Sequence, residues 1–152
     1  MAVVLKGKDV IASMKERMLK EVEELKAAGI EPCLSIVRLG AKADDLAYER
    51  GAVKRCESLG IKCVVKEYEE NITQEELANE IRKINEDGSI HGILVFRPLP
   101  KHIDENVIKY VINPDKDIDC FSPVNVAKVF EGDDTGFAPC TPEAVMEMLE
   151  HY

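Results

Sequence analysis

The chain has 152 residues, 45% hydrophobic and 32% charged, with a formal net charge of −9. That length and composition suit one globular domain with a real core and exclude a disordered polymer. The charge argues against broad nucleic-acid or anionic-membrane binding. No apolar run approaches a membrane span and the N-terminus lacks the apolar core of a signal peptide, so a cytoplasmic location is the expectation.

Val10, Ile11, Met14, Met18, Val22 and Leu25 recur at spacings of three and four. They predict an amphipathic helix from about Gly7 to Ala28, stopped by Gly29. Residues 33–39, Cys-Leu-Ser-Ile-Val-Arg-Leu, read as a buried strand followed by Gly40. Asp44 and Asp45 then stand where the helix dipole favours acids, and the helix they open runs to Leu59 with Gly60 as its stop. A second strand covers 61–68. Thr73 and Glu76 form a capping box, and the helix behind it turns Leu77, Ile81 and Ile84 inward before ending near Asp87-Gly88.

Gly92-Ile-Leu-Val is a short apolar run that suits a central strand buried on both faces. It stops at Pro98-Leu99-Pro100, because proline cannot donate to a ladder. Helices follow over roughly Asp104 to Val111 and Val124 to Phe130. A last helix is expected with Thr141 as its cap and Pro142 at its first position. The alternation of helix and strand predicts an α/β fold: a three-layer α-β-α arrangement with a mainly parallel sheet and helices on both faces. The final residues read as helix without a capping glycine, which suggests a piece of something longer.

The five cysteines are odd in number and contain no Cys-x-x-Cys, so neither a disulfide framework nor a zinc site is indicated. Cys33 and Cys63 read as reduced core residues. In a parallel sheet the loops after Leu39 and Tyr68 and the proline segment share one edge, where ligands bind in open α/β sheets. The prolines are either a stiff pocket wall or merely the end of a strand. Tyr48 either offers a stacking face over that edge or packs on the sheet. Asp117 and Asp119 can project together from an extended segment, although a solvated acidic loop is the first reading of their spacing. They lack the pattern of a calcium loop. His91 reads as structural, and His102 as a weak general-base candidate. Gly-x-Gly-x-x-Gly and Gly-x-x-x-x-Gly-Lys are absent, so a nucleotide, if one is needed, is held by no loop of this chain.

Four segments together resemble one family: Tyr48 with Lys54, Cys56 and Gly60-Ile61; Gly92-Ile93-Leu94-Val95 with Pro98-Leu99-Pro100; Lys116-Asp117-Ile118-Asp119; and Pro139-Cys140-Thr141-Pro142. In order and over essentially the whole chain, they are similar to the N-terminal, folate-binding half of methylenetetrahydrofolate dehydrogenase/cyclohydrolase. The resemblance implies that residues 1–152 are the catalytic domain and that a Rossmann-type NAD(P) domain follows outside this chain. It implies oxidation of 5,10-methylenetetrahydrofolate with NADP or NAD, then hydrolysis of the methenyl product to 10-formyltetrahydrofolate. The longer protein is then expected to be a homodimer.

Residue by residue, Tyr48 matches the tyrosine that lies against the folate. Asp119 matches the aspartate that hydrogen-bonds the pterin, and Pro98, Leu99 and Pro100 match the pocket wall. Leu99-Pro100 is a candidate cis bond. Three positions depart from the family pattern: Ala52 stands for the catalytic lysine, Phe96 for a glutamine, and Cys120 for a glycine. On a helix Ala52 lies roughly 40° from Tyr48, whereas Lys54 lies roughly 120° away. Arg55 returns to the face of Tyr48 but about 10 Å along the axis. Arg97 is therefore the best-placed substitute cation, although arginine is a poor general base. The expectation is a dehydrogenase with a weakened or lost cyclohydrolase; the alternative is a non-catalytic folate-binding or regulatory domain.

Overall fold

The computed structural model describes residues 4–152. The elements are α1 (Gly7–Ala27), β1 (Cys33–Leu39), α2 (Ala43–Leu59), β2 (Lys62–Tyr68), α3 (Gln74–Glu86), β3 (Gly92–Val95), α4 (Glu105–Val111), a 3-10 turn (Pro114–Lys116), α5 (Pro123–Glu131) and α6 (Cys140–His151). The three strands are parallel in the order β2-β1-β3.

The pleat of β1 sorts its side chains between two helical layers. Cys33, Val37 and Leu39 join Ile93 and Val95 of β3, Leu77, Ala78, Ile81 and Ile84 of α3, and Ile108 of α4 in one core. Ile36 and Arg38 point to the other face, where Arg38 Nε meets Glu49 of α2 at 2.5 Å. α1 lies against α2 and α6. The α/β fold with helices on both faces is therefore observed.

The capping box forms as its sequence predicts. Thr73 Oγ1 accepts from the Glu76 amide at 3.2 Å, and Glu76 Oε2 accepts from the Thr73 amide at 2.9 Å. Gly60 ends α2 at φ 73°, a left-handed conformation that costs glycine little.

Several expectations are corrected. β1, not β3, is the central strand. β3 is nonetheless well buried because the segment after α4 covers its outer flank, with a parallel bridge between Ile93 and Asp117. Its apolar run reports burial, which a covering loop supplies as well as a neighbouring strand. Gly92 belongs to that cover: a Cβ there would lie 2.8 Å from Ile118 Cγ2. The cis peptide is Arg97–Pro98, not Leu99–Pro100. Both bonds precede proline, so local chemistry alone does not choose between them. α6 begins at Cys140, with Pro139 at the cap position and Pro142 inside the first turn. A first-turn residue needs no intrahelical N–H bond, so proline is tolerated there too. Cys63 is half-buried rather than a full core residue.

Candidate functional site

Because the strands are parallel, β1 and β3 deliver their carboxyl ends to one side of the sheet, and α2 starts from the loop after β1. A cleft of about 580 Å³ opens there. α2 contributes Asp44, Asp45 and Tyr48. β3 and its exit contribute Leu94, Val95, Phe96 and Arg97, and the loop after the 3-10 turn brings Ile118 and Asp119. Cys140 closes the cleft from the start of α6.

Two contacts organise these side chains. The Tyr48 and Phe96 rings meet edge to face, with centroids 5.3 Å apart and planes at 65°. Tyr48 is 64% exposed, so it offers ring surface to the cleft and is not simply packed on the sheet. The Arg97 guanidinium lies 4.4 Å from the Phe121 ring centroid and reaches Asp119 Oδ2 at 3.4 Å. Both charged side chains keep solvent access, at 39% and 30%, so the pair is screened and replaceable by a ligand.

Asp117 and Asp119 have different roles, which corrects the reading of a solvated acidic loop. Asp117 is 1% exposed. Its Oδ1 accepts from the Phe121 amide at 3.0 Å, and its Oδ2 accepts from the Ser122 amide at 2.7 Å and from Asn125 Nδ2 at 3.0 Å. These bonds fix the turn that carries Asp119 into the cleft. Cys120 in the same turn has φ 56°, the left-handed region that favours glycine, at the position where the family pattern expects glycine. The backbone conformation is kept without the residue that adopts it most cheaply.

Other expected residues lie elsewhere. Ala52, one turn beyond Tyr48, is partly buried and does not line the cleft. Lys54 is exposed outside it, and Arg55 faces α1 beside Ile11 and Met14. Phe96 continues the ladder, its amide donating to the Val37 carbonyl at 2.9 Å, and the chain then turns away. Pro98, Leu99 and Pro100 consequently bound an adjoining hollow of about 670 Å³ rather than the cleft itself. His102 lies in that hollow with Nε2 2.9 Å from the Ile72 carbonyl oxygen. His91 is structural, its Nδ1 accepting from the Cys33 amide at 3.2 Å.

Sequence reasoning missed a cleft role for Cys140, although it lies in the Pro-Cys-Thr-Pro segment. Burial and a hydrogen bond to the Asp119 carboxylate push its thiol up to about 11, and its Sγ also donates to the Ile118 carbonyl at 3.3 Å. Phe121 beneath Arg97 and the acids of α2 gave no separate signal, because each is an ordinary loop or cap residue in one dimension. All five cysteines are free thiols, and no cluster of three metal-ligating side chains occurs among the described residues. No helix among them is long and apolar enough to cross a membrane.

An acid reached from two sides, an aromatic corner and a stacked guanidinium suit a flat heterocycle presenting adjacent N–H donors. The family model for the tetrahydrofolate dehydrogenase/cyclohydrolase catalytic domain matches residues 5–119. Bifunctional protein FolD of Clostridium kluyveri is 59% identical over 152 residues, covering 100% of this chain and 54% of the relative. Its counterpart in Clostridioides difficile is 57% identical over 149 residues, 98% of this chain and 52% of the relative. The chain thus spans about half the length of these relatives. The crystal structure of FolD from Campylobacter jejuni is 42% identical with a TM-score of 0.96, over 99% of this chain and 53% of that one. The Trypanosoma brucei enzyme, complexed with NADP cofactor and inhibitor, is 36% identical with a TM-score of 0.89, over 98% and 51%.

Proposed function

Because the chain belongs to the tetrahydrofolate dehydrogenase/cyclohydrolase catalytic-domain family, we propose that its 152 residues form the folate-binding half of a methylenetetrahydrofolate dehydrogenase. The substrate is 5,10-methylenetetrahydrofolate, oxidised to the 5,10-methenyl form. The hydride acceptor is NADP or NAD, held by a Rossmann-type domain outside these residues, since no loop here carries the glycine-rich phosphate fingerprint. The longer protein is a cytoplasmic homodimer of one-carbon metabolism. The alternative of a non-catalytic folate-binding domain finds no support among the relatives, which are named as bifunctional enzymes.

One observation carries the reading: Tyr48, Phe96, Arg97 and Asp119 converge on a single cleft from three separated segments. Asp119 accepts adjacent N–H groups of the pterin's amino-pyrimidine edge. Arg97, stacked on Phe121, orients that carboxylate and supplies the positive charge of the site. Tyr48 and Phe96 form the aromatic wall against which the folate rings lie. The proline segment stiffens the loop that carries Phe96 and Arg97.

Ala52 and Phe96 remove the lysine and glutamine that the family pattern uses for the hydrolytic step. Arg97 stays protonated and is engaged with Asp119, so it does not replace a proton-handling lysine. Hydride transfer relies on positioning, which survives this change. The cyclohydrolase step is therefore weak or absent.

Calorimetric titration of the chain with tetrahydrofolate tests the site. Saturable binding is expected, weakened about tenfold or more in Asp119→Ala, the scale of losing a charged hydrogen bond, and weakened also in Tyr48→Ala. Binding indifferent to both changes overturns the assignment. Strong cyclohydrolase activity in the longer protein, unaffected by substitution of Arg97 or Lys54, overturns the loss of hydrolysis.

A further inference from the structure

The cleft holds more negative charge than its assigned contacts use. Among its lining residues Asp44, Asp45 and Asp119 face a single cation, Arg97. Arg97 and Asp119 pair with each other, so the carboxylates of α2 stay unmatched. Neither Asp44 nor Asp45 makes an ion pair among the described residues. The helix dipole accounts for acids in a first turn but not for the side they face. Asp45 precedes Tyr48 by three residues and Asp44 precedes it by four, so all three share the face of α2 that lines the cleft. Asp44 is exposed, whereas Asp45 is half-buried, and its field is the less screened by solvent.

The reaction creates a charge that such a carboxylate fits. In 5,10-methylenetetrahydrofolate the bridging carbon is neutral. One C–H bond breaks, and both electrons leave with the hydrogen as hydride to the nicotinamide ring, cancelling that ring's positive charge. The carbon left behind joins an amidinium cation shared by the two bridge nitrogens. No proton moves. With the folate rings against Tyr48 and Phe96, positive charge develops beside α2, at a site where Ala52 brings no competing cation. A fixed anion there acts more strongly on the transition state and the cation than on the neutral substrate, which is the condition for faster hydride transfer.

We propose that Asp45 is a catalytic residue of the hydride-transfer step, stabilising the cation that forms on the bridge. The inference rests on the folate reading of the cleft and deepens it: the site prefers the cationic methenyl form to neutral folates. The same contact makes the bound cation less reactive toward water, in line with a weak or absent hydrolytic step.

The test is calorimetric titration of the 152-residue chain with freshly dissolved 5,10-methenyltetrahydrofolate and with tetrahydrofolate, at low and high salt, in the parent, Asp45→Asn and Asp44→Asn. The readout is the ratio of the two affinities. In Asp45→Asn the ratio is expected to move about fivefold against the cation, the scale of one partly exposed ion pair. A smaller change is expected in Asp44→Asn, and high salt is expected to reduce the ratio in the parent. The near-ultraviolet absorbance of the methenyl form is expected to decay no faster with the parent than with Asp45→Asn. A ratio that is unchanged in Asp45→Asn, or indifferent to salt, overturns the proposal and leaves the cleft assignment standing. A larger effect of Asp44→Asn than of Asp45→Asn overturns it too. So does faster decay with the parent, since Asp45 then activates water. If neither ligand binds the parent, the folate reading fails and the proposal with it. Circular dichroism establishes that folded protein was titrated, and Asp45→Ser takes the place of an Asp45→Asn variant that does not fold.

Discussion

The buried carboxylate of Asp117 offers the sharpest test of how the cleft is held. Replacing it with alanine removes the acceptors of the Phe121 and Ser122 amides, the latter bond fully buried. Asn125 Nδ2 keeps the Pro114 carbonyl at 2.9 Å, so it is not orphaned. Each stranded buried donor costs about 1–3 kcal/mol, which places Asp117→Ala about 3–4 kcal/mol below the parent. For a domain of this size that lowers Tm by roughly 6–16 °C. Asp117→Asn keeps one oxygen but turns an NH2 group toward a donor, and is expected to lose about half as much. Urea unfolding followed by circular dichroism measures both, with an unchanged m-value showing that the native state alone is affected. Because the same bonds fix the turn bearing Asp119, Asp117→Ala is also expected to weaken tetrahydrofolate binding at temperatures where it remains folded. A destabilisation below about 1 kcal/mol with parental affinity would refute the idea that Asp117 organises this turn.

Arg38→Ala leaves Glu49 without its partner inside the structure, and a loss of about 3 kcal/mol is expected in urea unfolding, near the lower end for breaking a buried pair. Thr73→Ala removes a cap and is expected to cost about 1 kcal/mol. Bonds from the Thr73 amide and hydroxyl hold the Glu76 carboxyl below its ordinary range, so its contribution is present above the unfolded value and lost as pH falls through the folded one. The difference in Tm between parent and Thr73→Ala is therefore expected to narrow on acidification below about pH 4. With its thiol pushed up to about 11, Cys140 reacts slowly with iodoacetamide at pH 8; Asp119→Asn removes one cause and is expected to speed alkylation, read by peptide-resolved mass spectrometry. An unchanged rate counts against the contact between the two side chains.

Much of this architecture was legible because it is local. The capping box of α3, the left-handed glycine closing α2 and the apolar periodicity of α3 involve residues within a turn or two of each other. Strand existence was legible for the same reason. Sheet order was not, because the apolar run of β3 records burial without saying whether a strand or a loop provides it. The role of Asp117 was hidden in the same way: its three partners lie four to eight residues on, in a turn whose shape is fixed only by the finished fold. The strand reading of residues 33–39 gave no partner for Arg38, because Glu49 and Glu67 meet it from α2 and β2 only in the finished fold. In the cleft, the place of Arg97 beside the prolines was legible, whereas its contact with Asp119, its stacking on Phe121 and the separation of the prolines from Tyr48 depended on how the chain turns after Phe96.

A sheet of only three strands has two borders at which a strand from another molecule could add. The bridge from Asp117 to Ile93 occupies part of one of them. The other is β2, Lys-Cys-Val-Val-Lys-Glu-Tyr, which has no second neighbour among the described residues. Three of its seven residues are charged. Lysines and glutamates on a border strand resist recruitment into an intermolecular ladder, since a copy aligned beside it brings like charges together and strips them of water. The buried apolar side chains of the core are thus concentrated on β1 and β3, and the strand with an open border carries the residues that keep separate molecules apart.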